Sequence, residues 1–66
     1  MRVTYSEKDD ALYVRMDDSP ILESEEVRPG LIIDFNATGQ VIGIELHGVR
    51  ASNPLVNPKS LHFEVA

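Results

Sequence analysis

The amino-acid sequence predicts an all-β or β-rich α+β fold: a small twisted antiparallel meander of five to six strands, with at most a short helical turn near the C-terminus. Three observations carry that expectation. Apolar and polar residues alternate with period two in several short stretches, the pattern of strands with one buried face. Polar clusters rich in Asp, Asn, Gly and Pro separate those stretches. No segment carries apolar residues at helical spacing over a length that could cover a sheet.

The densest run of strand formers is Val41 to His47, which follows the turn signal Asn36-Ala37-Thr38-Gly39. Alternation sets Ile42, Ile44 and Leu46 on one face, with Val41, Gly43, Glu45 and His47 on the other. Leu31 to Phe35 precedes the same turn, so the two stretches form a central antiparallel hairpin. Leu31, Ile33 and Phe35 point inward from it.

Met1 to Tyr5 reads as a first strand, with Val3 and Tyr5 inward. Ser6-Glu7-Lys8-Asp9-Asp10 is a polar connection, and Ala11 to Met16 is a second strand with Leu12, Val14 and Met16 inward. Asp17-Asp18-Ser19-Pro20 closes it, because proline cannot continue a ladder. Glu23 to Val27 reads as a short, charged edge strand, since charged side chains on an edge oppose unwanted pairing. A short helix is the alternative across Ile21 to Arg28, although Ile21, Leu22 and Val27 form no helical stripe; Pro29-Gly30 stops either element. Past His47, Asn53-Pro54 and Asn57-Pro58 mark turns, the second suited to the N-cap and first position of a helical turn. Leu61 to Val65 alternates and is the candidate last strand, with Leu61 and Phe63 inward.

An apolar face without a helix to cover it must curl, receive the C-terminal segment, or pack on a second copy. A homodimer or higher oligomer is therefore expected. Residues 1–66 make one small domain, which buries only roughly 60% of its unfolded surface. The chain has no cysteine, so no disulfide can supplement that core. Eleven acidic residues against six basic ones give a net charge of -5, which argues against direct binding to nucleic acid or anionic membranes. No apolar run reaches the ~20 residues of a membrane span, and Met1 to Glu7 lacks the apolar core of a signal peptide. A cytoplasmic location is expected.

Tyr5, Asp10-Ala11-Leu12-Tyr13-Val14-Arg15, Glu23-Ser24-Glu25-Glu26-Val27, Gly30, Asp34, Gly39 and Gly43-Ile44-Glu45-Leu46 occur in this order and spacing. In them the chain resembles a small prokaryotic family catalogued as domain of unknown function 2283. The resemblance runs from Arg2 to Leu46. It implies a β-rich protein of unassigned biochemistry, and some members look like the antitoxin-like partner of a small toxin. It implies no catalytic residue. Family members usually end soon after the Gly-Ile-Glu strand, so the longer tail here is not covered.

Asp9, Asp10, Asp17 and Asp18 resemble acidic cation ligands but lack the spacing and internal glycine of a calcium loop, and read as solvated turns. Tyr13 reads as packing across strands, with Gly43 leaving room for its ring. Glu45-x-His47 and His62-x-Glu64 each place an imidazole and a carboxylate on one strand face. If those strands were neighbours, the four could converge on zinc and support metal-dependent hydrolysis. No cysteine or serine nucleophile motif and no phosphate loop is present. The favoured function is a non-catalytic protein-binding module without a cofactor, antitoxin-like toward a basic partner. The alternatives are a structural homo-oligomer and the Glu45/His47/His62/Glu64 hydrolase.

Overall fold

The computed structural model describes residues 1–66. Five strands form one antiparallel sheet: β1 (Arg2–Ser6), β2 (Ala11–Arg15), β3 (Glu23–Arg28), β4 (Leu31–Phe35) and β5 (Val41–His47), followed by one helical turn, α1 (Val49–Ser52). The all-β expectation holds, and each strand of the sheet lies within a residue of the stretch read for it. Glu23–Arg28 forms the edge strand, and no part of residues 21–28 is the alternative helix.

The sheet order is β1-β2-β5-β4-β3. β1–β2 and β3–β4–β5 are each meanders, and the connection from Met16 to Leu22 joins them in Greek-key order. A strictly sequential sheet would set the acidic Glu23–Arg28 in its middle and the apolar Val41–His47 at its edge. The observed order reverses this: β5 lies in the centre, and every residue of β3 is exposed. The connection spans three strand spacings, about 14 Å, well within the reach of seven residues. Arg15 fastens it, donating from Nε to the Asp17 carbonyl at 2.6 Å and from Nη2 to the Ser19 carbonyl at 2.6 Å. Met16 has left the strand, yet its N–H still bonds the Ile42 carbonyl at 2.8 Å.

Asn36 organises the turn that the connection passes. Its Oδ1 accepts the N–H groups of Thr38 and Gln40 at 3.2 and 3.0 Å, and its Nδ2 donates to Ser19 Oγ at 3.1 Å. Between β3 and β4, Gly30 at φ 84° supplies the positive φ that follows Pro29 in the tight turn.

Register sorts the two faces. Val3 faces Val14, Val14 faces Ile44, and Ile44 faces Ile33; beside that row, Tyr5, Leu12, Leu46 and Leu31 form a second. This apolar side lies on a single layer. Ile42 is the one large side chain that is fully buried. The Cα radius of gyration is 12.7 Å, against about 10.8 Å for a compact chain of this length.

The C-terminal segment departs from expectation. Leu61 to Val65 joins no ladder, and Leu61 and Phe63 are 69% and 74% exposed rather than inward. Their alternation is real, but five strands already pair with one another and the tail reaches no ladder partner. Asn57-Pro58 forms an Asx turn, with Asn57 Oδ1 accepting the Lys59 N–H at 3.1 Å, instead of opening a helix. The helical turn comes earlier, at Val49–Ser52, because Asp10 caps it from across the chain.

Candidate interaction surfaces

β3 pairs with β4 along one side only, so its other side offers free backbone N–H and C=O groups. Opposite Glu23, Ser24, Glu25 and Glu26 stand Phe35, Asp34, Ile33 and Ile32. Glu23 and Glu25 therefore border the apolar face, and Glu26 projects from the other. The register shifts between Glu26 and Arg28, a bulge of the kind that bends an edge. Ile21, Leu22 and Val27 flank the glutamates and are 43%, 71% and 49% exposed. At the start of the edge, Ser19, Pro20, Ile21, Leu22, Asn36, Ala37 and Thr38 line a shallow hollow of about 190 Å³.

The polar face carries a closed hydrogen-bond network. Tyr13 on β2 reaches diagonally over Gly43 on β5, and its hydroxyl donates to Asp34 Oδ2 on β4 at 2.7 Å. Ser24 on β3 donates to Asp34 Oδ1 at 2.6 Å, and Arg15 Nη1 lies 3.4 Å from the Tyr13 oxygen. The network thus ties β2, β4 and β3 together across β5. A Cβ at residue 43 would stand 2.5 Å from Tyr13 Oη and 2.7 Å from Asp34 Oδ2, so glycine is required for close approach. Burial, and then the Asp34 carboxylate, raise the Tyr13 pKa above its ordinary value. With its proton held by Asp34, this hydroxyl is a structural donor rather than a general base. The sequence reading placed Tyr13 over Gly43 correctly but missed Asp34, Ser24 and Arg15 as its partners. A lone aspartate at an outward position of Leu31–Phe35, level with Gly43, was the available signal.

Asp10 likewise does more than face solvent. It adopts a positive φ of 50°, and its carboxylate accepts the N–H groups of Arg50 at 3.0 Å and Ala51 at 3.0 Å, and the Tyr5 hydroxyl at 2.7 Å. Those bonds hold its pKa below the usual aspartate value, the Arg50 N–H most strongly, and raise that of Tyr5. Asp9 pairs locally with Ser6, and Asp17 Oδ1 accepts the Ser19 N–H at 2.7 Å.

The four residues considered for a metal form two separate pairs. His47 Nε2 lies 3.3 Å from Glu45 Oε1, and His62 Nε2 lies 2.8 Å from Glu64 Oε1. β2 and β4 flank β5, which leaves the tail no place beside Glu45 and His47. No three His, Asp or Glu side chains are grouped so that they could hold an ion. No helix is long and apolar enough to cross a membrane.

Several residues that carry the sequence resemblance sit in these networks: Tyr5 and Asp10 at α1, and Tyr13, Arg15, Ser24, Asp34 and Gly43 on the polar face. The pattern is one of scaffold bonds. No curated protein and no solved structure matches the chain. The family model described as a protein of unknown function (DUF2283) matches residues 2–50, and the chain belongs to that family.

Proposed function

We propose that this chain is a non-catalytic protein-binding module that takes an extended segment of a basic partner along β3. The observation that carries the reading is the edge itself: six exposed residues with glutamates at 23, 25 and 26, whereas the sheet's other edge, β1, carries no acidic residue. Backbone groups of the edge supply affinity for an added strand. The glutamates steer a cationic segment and speed its association. Leu22 and the hollow beside it accept an aliphatic side chain at one end of that segment. A small RNA-cleaving toxin is basic for its own reasons, so an antitoxin-like role is the form of this function that fits an acidic edge best.

The test is a triple variant, Glu23→Lys, Glu25→Lys and Glu26→Lys, assayed against the product of an adjacent gene where that product is small and basic. Exposed charge pairs contribute about 0.2–1 kcal/mol each, so reversing three is expected to weaken binding roughly tenfold or more. The parent interaction should also weaken steeply with salt. Binding that ignores both the substitutions and the salt, or no binding at low salt, sinks the proposal.

A further inference from the structure

We infer that a second copy of this chain covers the apolar face, the two copies packing face to face about a two-fold axis. A folded monomer of 7.4 kDa exposes about 4,200 Å² by the size scaling of compact proteins. This chain exposes 5153 Å². The excess is roughly 950 Å², close to the ~800 Å² that each partner contributes to a standard stable interface.

Part of the excess lies on that face and more of it on the tail, where Leu61, Phe63 and Val65 are 69%, 74% and 87% exposed. Leu46, on the central strand, is 42% exposed, and Val3 is 37% exposed. The tail does not cover them. It makes no backbone hydrogen bond to β1, and a groove of about 320 Å³ stays open between Met1, Val3, Leu61 and Phe63. In the dimer the tail's own apolar row extends the rim of the contact.

Charge selects a second copy over a different partner. The central rows, Val14–Ile44–Ile33 and Leu12–Leu46–Leu31, carry no charge to match the charge of another protein. Such a surface is complementary to itself, as an isologous contact requires. Glu23 and Glu25 stand at the β3 border. An axis running along the strands over β5, the middle strand of five, sets β3 of one copy over β1 of the other. That arrangement keeps the acidic edges of two chains, each of net charge -5, apart. It also leaves the outer side of β3 free, so the dimer and the proposed edge binding are compatible and separable.

Sedimentation equilibrium of the full chain tests this at about 50 µM, above the micromolar end of the range that such interfaces span. The expected mass is twice that of the chain. Leu46→Lys should weaken the dimer by at least about thirtyfold, as a central interface residue does, with the β-type circular dichroism retained. Phe63→Lys lies in a segment without ladder bonds, so it cannot unfold the sheet; it should weaken the dimer by a smaller factor. Thr4→Lys, on the polar face, should leave the mass unchanged, as should the β3 triple-lysine variant designed to weaken partner binding. A monomeric parent chain overturns the inference. So does a dimer that ignores both Leu46→Lys and Phe63→Lys, because it then pairs by its edges.

Discussion

The two faces of this sheet solve opposite problems. On the polar face, Tyr13, Arg15, Ser24 and Asp34 satisfy one another, and no buried side-chain polar atom in the molecule lacks a partner. On the apolar face, Val3 and Leu46 remain more than a third exposed, and the tail that could shield them adds no strand to the sheet. Hydrogen bonding is local and directional, so four side chains complete it within a single layer. Burial of apolar area needs a second layer, and a chain this short has only one. One face is finished by the fold; the other is the one that the proposed association would finish.

If that contrast is right, damage to the polar face should cost stability in the isolated chain. Asp34→Ala carries the largest expected effect. It removes the shared acceptor of the half-buried Tyr13 hydroxyl and the exposed Ser24 hydroxyl. Losing hydrogen bonds to a charged group and leaving the donors unpaired should cost about 2–4 kcal/mol. For a domain this small that is a fall in Tm of roughly 10 °C or more, read by thermal denaturation. A fall under a few degrees would show that water replaces Asp34 and that the network is decoration.

Gly43→Ala should follow, with a smaller effect. The new methyl meets the Tyr13 hydroxyl and the Asp34 carboxylate, and one of them must move. Crowding of this kind costs about 1–3 kcal/mol, partly offset by the ~0.5–1 kcal/mol of backbone entropy that alanine recovers in a strand. The expected net loss is about 1–2 kcal/mol by denaturant titration. Combined with Tyr13→Phe the two losses should be clearly less than additive, because the clash partner has gone. Strict additivity would place the strain elsewhere.

These residues also mark how far the sequence could be read. Period-two alternation located four of the strands, and the crowding of glutamates in Glu23–Glu26 put β3 at an edge. That edge position already implied a departure from sequential order, since a meander would have buried the same glutamates. Tyr13 over Gly43 was legible because both lie on strands whose alternation is clear. Asp34 was not, because its partners come from β2 and β3, and adjacency across β5 depends on the Greek-key crossing. The tail was the least legible part. Leu61, Phe63 and Val65 alternate as a strand would, but alternation states only which side chains share a face, not whether a ladder partner exists. The convergence of His47 with His62 failed for the same reason.

Asp10 sits at the periphery and tests whether a capping bond behaves like the central network. Its folded-state pKa is lowered, chiefly by the Arg50 N–H and then by the Tyr5 hydroxyl. The stability it contributes is therefore complete above its unfolded-state value of 3.8 and is lost as pH falls through the lower folded-state value. Asp10→Asn should flatten that part of the acid limb in a pH series of thermal melts and leave the neutral and alkaline range with the parent's shape. An unchanged acid limb would mean that other carboxylates set the acid sensitivity and that the α1 cap is dispensable.

The finest comparison between centre and periphery is available in the two tyrosines, because the chain has no tryptophan to mask them. Both hydroxyls are expected to titrate above the ordinary value of 10.0, for different reasons. At Tyr5 the leading cause is the hydrogen bond to Asp10; at Tyr13 it is burial, with Asp34 second. Raised tyrosine values mean that the folded chain holds these protons more tightly, so their contribution is full below 10.0 and lost as pH rises through the folded-state values. Ultraviolet absorbance of tyrosinate resolves the causes. Asp10→Asn should return Tyr5 most of the way to its ordinary value, because an amide bonds phenol and phenolate alike, so the hydrogen bond no longer favours the protonated form and the opposing charge is gone. Asp34→Asn should return Tyr13 only in part, because the strands that bury it are still there. Equal recovery in the two variants would mean that Tyr13 is no more sheltered than Tyr5, and the polar face would then be an exposed surface rather than a finished one.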